Sequence, residues 1–340
     1  MLERDSLPRI AYCSPFVPVE WIAAHRCQPR WLRMHGAGGP SPVSGRRGVC
    51  PLAAGVATAV TSGVEAGAVV MTTACDQMRY AAAWLEQQAC LPVFVMHVPS
   101  TWQTVAAREL FLEELRRLGR FLVHRGGQSP SGPELAEVML RFDAARAALR
   151  QARRWLPARE FTAALLAVRE DAEAAVPRDP GPSELSVGHA VNGGVPVAIV
   201  GGPLVTQDYE LFEWFEHAGG RIVLDATEWG ERTLPRPFDP ARVGSQPVEE
   251  LADAYFGSIP DVFRRPNDPC YEYLTRELAA RHVRGLVVRR YVWCDLWHAE
   301  VARLKARLPV PVLDLDVAGH EDSAAGRTRG RIEAFLETLA

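Results

Sequence analysis

Residues 66–84, AGAVVMTTACDQMRYAAAW, decide how this chain folds. The apolar run is too short for a buried helix, opens after Gly67 and stops at Cys75-Asp76, after which apolar residues recur at helical spacing. A strand, a turn carrying a cysteine and a helix are therefore expected. In open α/β folds the carboxyl edge of the sheet is where ligands bind, so Cys75 sits where a site belongs. The positive end of the following helix faces its sulfur, which favours thiolate over thiol.

On the amino-terminal side, Cys50-Pro51 opens a small-residue helix, PLAAGVATAVTSGVEAG, with proline at the favoured first position. A second cysteine thus stands at a helix start. Before it, IAYCSP (residues 10–15) is a brief apolar run, residues 19–25 read as a helix begun by Pro18, and residues 30–47 read as loop. Glu20 falls in the first helical turn, where a carboxylate complements the dipole. On the other side, LPVFVMHVP (residues 91–99) is a second buried-type strand ending in His97. That histidine is either satisfied by a backbone partner at the strand end or free to act as a ligand or proton donor.

Residues 101–120 and 132–170 are rich in Ala, Leu, Glu and Arg at helical spacing, the second stretch giving one long or two shorter helices. VPRDPGPSELS (residues 176–186) is dense in proline and glycine and marks a domain boundary. Beyond it strand and helix alternate: strands within 195–201, 221–226, 283–293 and 310–315, helices over 208–217, 272–282, 296–308 and 327–339. This alternation implies parallel sheets covered by helices. The expected architecture is α/β: two Rossmann-like parallel-sheet domains, residues 1–178 with a helical extension and residues 185–340, with a helical insertion or linker between them.

The length of 340 residues suffices for two such cores. A formal charge of -3 argues against a nucleic-acid or membrane-surface partner, and Lys305 is the sole lysine among 38 basic residues, a bias that need carry no function. No run approaches the ~18 apolar residues of a membrane span. The start, MLERDSLPRIAYC, lacks a signal peptide's order, so a cytoplasmic protein is expected. In a reducing compartment the seven cysteines are thiols or metal ligands rather than a disulfide framework, and no C-x-x-C occurs.

The main signal is an echo. TTACDQMRY and YVWCDLWHA both place Cys-Asp between a β run and a helix. Two similarly wound domains facing each other at their carboxyl edges bring Cys75 and Cys294 into one cleft, with Cys50 as a third thiolate. Three soft sulfurs suit an iron-sulfur cluster or zinc with one position left open; buried structural cysteines are the alternative. Gly201-Gly202-Pro203 follows a strand and precedes a helix, either as a phosphate dock or as a plain connection. With neither G-x-G-x-x-G nor a P-loop present, no dinucleotide or ATP site is expected.

Taken together these pieces resemble the 2-hydroxyacyl-CoA dehydratase family, which includes the benzoyl-CoA reductase subunits. The matching segments are AYCSPFVPVEWIAAHRCQPRWL, GVCPLA, TTACDQMRY with VFVMHVPSTWQTVAARELFLEEL, the GGP turn, DATEWGER, YVWCDLW and PVLDLDVAGHEDSAAGRTRGRIEAFLETL, in family order. The resemblance implies a 4Fe-4S cluster held by Cys50, Cys75 and Cys294 between two Rossmann-like domains, with Cys13 a lesser candidate. It implies a related partner subunit, in a heterodimer or homodimer, and a separate ATP-hydrolysing iron-sulfur activator that delivers a low-potential electron. The implied substrate is an acyl-CoA thioester, dehydrated or reduced through a radical. Glu20 and His97 become candidate proton-transfer residues, and Arg79 either orients a carboxylate or CoA phosphate or pairs with Asp76. His25 stands where relatives usually have glycine and Glu228 where many have cysteine, which leaves open a partner subunit that relays electrons.

Overall fold

The computed structural model describes residues 6–34, 48–88, 90–177, 193–317 and 322–340. Its frame is two four-stranded sheets, all parallel. The first contains β1 (Arg9–Tyr12), β2 (Gln28–Trp31), β3 (Ala68–Thr72) and β4 (Val93–Met96) in the order β2-β1-β3-β4. The second contains β5 (Val195–Gly201), β6 (Gly220–Thr227), β7 (Gly285–Tyr291) and β8 (Val312–Val317) in the order β6-β5-β7-β8. Both sheets are thus wound the same way, and each reverses direction between its first and third strands, where a crevice opens at the carboxyl edge. The expected α/β class is what the chain adopts.

Sequence explains the central strands directly. β3, AVVMT, is buried at every position, as a strand covered on both faces must be. β7, GLVVRRY, is equally buried although it carries two arginines. Arg289 is tolerated there because Nη2 donates to Asp208 Oδ1 at 2.5 Å and Nη1 to the Pro203 carbonyl at 3.1 Å. The helices are α1 (Val19–Ala24), α2 (Pro51–Thr61), α3 (Asp76–Gln88), α4 (Val105–His124), α5 (Gly132–Ala152), α6 (Ala158–Glu170), α7 (Glu210–His217), α8 (Pro240–Ser245), α9 (Pro247–Tyr255), α10 (Asp268–Ala280), α11 (Asp295–Arg307) and α12 (Asp322–Leu339). The stretch 132–170 is two helices, the second beginning after Pro157, and a Ser131–Glu134 capping box fixes the start of α5.

Three differences from the sequence expectation have physical causes. Arg30 and Trp31 close β2 instead of opening a loop, because Trp31 packs edge-on against Tyr12 and Trp229; the rest of that expected loop beyond Met34 falls outside the described residues up to Gly48. α8 and α9 were not expected, being short and started by proline. Apolar residues of the segment after β6, from Trp229 to Phe263, pack into the core of the first sheet, so the two halves share side chains across the seam. Most of the expected boundary at 176–186 lies outside the described residues.

The turn after β5 depends on Gly201. Its φ is +142°, and a β-carbon there would lie 1.8 Å from the Arg289 carbonyl oxygen of the neighbouring strand. Backbone cannot yield as a side chain can. Gly201→Ala is expected to cost about 2–4 kcal/mol, read as a lower urea midpoint at unchanged slope.

Candidate functional site

The carboxyl edges of both sheets meet at a cavity of about 460 Å³. Cys50, Cys75 and Cys294 all line it, as do His97, Glu228 and Arg79. Cys75 and Cys294 occupy equivalent places, each following the third strand of its sheet and preceding a helix, α3 and α11. Cys50 is the residue before Pro51 at the start of α2. The repeat in sequence is therefore a repeat in space, and residues far apart along the chain converge because the winding is repeated.

Each sulfur faces a helix amino terminus. Amides of Leu52 and Ala53 approach Cys50, those of Met78 and Gln77 approach Cys75, and that of Trp297 approaches Cys294. These approaches act through their dipoles, since no regular cap hydrogen bond closes at Cys50 or Cys294. The expected thiolate does not follow, however: burial outweighs the amides and pushes Cys75 up to about 11 and Cys294 to about 12. Cys50 moves up for the same reason, against a smaller downward pull from its amides and Arg289. The charges also oppose one another, Cys50 raising both other thiols and Cys75 raising Cys294, with Glu228 raising all three. Without a cation these groups are neutral thiols at neutral pH.

That electrostatic conflict describes what the donor set fits. Three soft sulfurs that repel as anions are stabilised together by a thiophilic cationic centre. Among the described residues no three His, Cys, Asp or Glu side chains form a group that could hold a metal ion. A cubane distributes its cysteine ligands over separate irons, so it does not require all three sulfurs around one point. The chemistry and common cavity fit a cluster.

The remaining candidates divide. His97 lies exposed at the cavity, its Nδ1 3.0 Å from Thr73 Oγ1, while its backbone N–H donates to Glu114 Oε2 at 2.6 Å. Arg79 pairs with Asp76 at 3.0 Å on the cavity rim, both well exposed. Cys13 is buried, its carbonyl accepting from Trp229 Nε1 at 3.1 Å, and it does not line the cavity. Glu20 is fully buried outside the cavity, accepting from Arg146 Nη1 at 2.5 Å and Tyr255 Oη at 2.7 Å. Its burial in that pair separates it from the three sulfurs, and dipole complementation is not its main contact.

Glu228, Asp261 and Tyr291 also reach the cavity without having been singled out as site residues. Glu228 was legible in principle, since it is the first residue beyond β6 and its amide donates to the Gly201 carbonyl at 3.0 Å. Burial, with the Asp261 carboxylate nearby, moves its carboxyl upward against the pull of Arg232 and Arg169. Asp261 is paired with the buried Arg232 at 2.8 Å. It arrives on a loop between α9 and α10, where nothing local marks it.

No curated protein matches the chain. A solved structure described as the SBP FpvC from Pseudomonas aeruginosa in complex with Mn2+ covers 98% of this chain and 97% of its own at 11% identity, but its TM-score of 0.23 supports no inference. The family described as 2-hydroxyglutaryl-CoA dehydratase, D-component, matches residues 14–339. Because that match spans nearly the whole length, the chain belongs to the 2-hydroxyglutaryl-CoA dehydratase D-component family.

Proposed function

We propose that this chain is the cluster-bearing subunit of a 2-hydroxyacyl-CoA dehydratase-type enzyme, with Cys50, Cys75 and Cys294 holding a 4Fe-4S cluster. The observation that carries the reading is the convergence of these three cysteines on one cavity at the facing sheet edges. When bound, such a cluster supplies low-potential electron transfer and a Lewis-acid iron position for an acyl-CoA oxygen. The helix amides beside the sulfurs lower the cost of holding negative charge there. Glu228 adds a polar group to the wall that the sulfurs share, and His97, exposed at the cavity, moves the proton that dehydration requires. Glu20 has a structural part.

The lack of a P-loop in the sequence fits a separate ATP-hydrolysing activator as electron donor. A related subunit would cover the cavity mouth, where Trp293, 50% exposed beside Cys294, offers an apolar contact. Cytoplasmic location is part of the same proposal, and no helix among the described residues is long and apolar enough to cross a membrane.

The test is anaerobic purification followed by iron and sulfide analysis. About four of each per chain is expected, and an acyl-CoA that perturbs the cluster spectrum of the isolated chain supports catalysis here over electron relay. Iron at background level after anaerobic reconstitution would overturn the cluster assignment. His97→Ala should retain iron yet lower turnover by about 100-fold or more, a range typical of a lost proton-transfer group. Unchanged turnover in that variant would remove His97 from the mechanism.

A further inference from the structure

Away from the cysteines, Arg146 on α5 and Arg169 on α6 border a small void of about 20 Å³. Both arginines are buried, at 3% and 8% exposure. Arg146 donates from Nη1 to Glu20, lies over the Phe238 ring, and its Nη2 stands 3.6 Å from Asp143 Oδ1, too far for a good hydrogen bond. Arg169 donates from Nη2 to Thr233 Oγ1 at 2.8 Å and to the Gly230 carbonyl at 3.5 Å, with its guanidinium over Trp31. Three buried nitrogens have no acceptor: Nε and Nη2 of Arg146 and Nη1 of Arg169. Among the described residues no carboxylate forms an ion pair with Arg169; Asp225 and Glu228 act on it only through space. Burial brings its pKa down to about 10, so it remains cationic at neutral pH.

A buried guanidinium with open donors and no direct counter-charge is expensive. The size of the void admits about one atom of water or halide size and excludes sulfate or phosphate. A water satisfies open donors but leaves the charge of Arg169 uncompensated. It would accept from the arginines but need acceptors for its own hydrogens, and much of the wall is Val17, Val19, Leu165 and Val168. The tyrosine hydroxyls already donate elsewhere, Tyr12 to the Arg169 carbonyl at 2.5 Å and Tyr255 to Glu20 at 2.7 Å, so their oxygens can take a water's hydrogens but supply no counter-charge to the guanidiniums. A monatomic anion accepts from every open N–H and donates nothing.

We propose that this void is a binding site for one halide ion, chloride in the cell, held between Arg146 and Arg169. Its walls come from β1 and β2, from α5 and α6, and from residues 233–235 after β6, so the ion ties the helical layer to both halves of the chain.

The experiment uses the full chain exchanged into chloride-free gluconate buffer and titrated with chloride or bromide at fixed ionic strength. A saturable rise in Tm of about 2 °C or more is expected with either halide, together with a bromide anomalous peak between the two guanidiniums in crystals. Arg169→Met should abolish both while the protein still folds; should it not fold, the wild-type measurements decide alone. A halide-independent Tm, or a water in place of the bromide peak, overturns the proposal. A peak without a saturable Tm shift is an adventitious ion only and overturns it equally.

Discussion

Cys75→Ser, prepared without oxygen, is expected to lose most of its iron, with retention weakened well beyond 10-fold. Even the partners that merely orient metal ligands cost about 10–100-fold when removed, and a direct ligand costs more. The hydroxyl stays protonated where the thiol can lose its proton to a metal, and a hard oxygen replaces a soft sulfur. The expected loss is chemical and not a failure to fold. Serine is nearly the size of cysteine, is favoured at helix starts, and Cys75 is only half-buried. The same outcome is expected for Cys294→Ser, which stands at the matching place in the second sheet. Cys13→Ser and Cys90→Ser provide the comparison, because Cys13 is buried outside the cavity and Cys90 is exposed. Iron content unchanged in Cys75→Ser, or lost equally in Cys13→Ser, would dissolve the assignment.

The three sulfurs were legible because strand-edge positions have a local signature. A short β run, a turn and a helix start can be read from a dozen residues, and the repeated winding brings two such turns together. The same rule reaches Glu228, one residue past β6, which the sequence marked only as a departure from relatives. What could not be read depends on contacts between distant segments. Trp31 joins a strand because Tyr12 and Trp229 pack against it, and Asp261 reaches the cavity on a loop whose course is set by Arg232. The charge state of the sulfurs was misjudged for a related reason. Helix amides are visible in sequence order, while the burial that outweighs them is a property of the assembled cleft.

Glu20 separates a packing role from a catalytic one. Glu20→Ala is expected to cost about 3–5 kcal/mol of stability, the usual consequence of leaving one member of a buried ion pair without the other. Arg146 would keep its charge with Asp143 Oδ1 at 3.6 Å as its nearest acid, and Tyr255 would lose the carboxylate that accepts its hydrogen at 2.7 Å. Denaturant unfolding measures the loss. Combining Glu20→Ala with Arg146→Met should recover a large part of it, because the second change removes the stranded charge and leaves an apolar side chain beside Phe238. Iron content and turnover per folded molecule should stay near wild type in the double variant, since neither residue lines the cysteine cavity. A stable Glu20→Ala protein with full iron and no turnover would reverse this assignment and return Glu20 to the proton-transfer role that the family resemblance implies. The two outcomes differ in which measurement moves, unfolding midpoint or turnover, so a single variant assayed both ways distinguishes a carboxylate that holds the helical layer from one that serves the reaction.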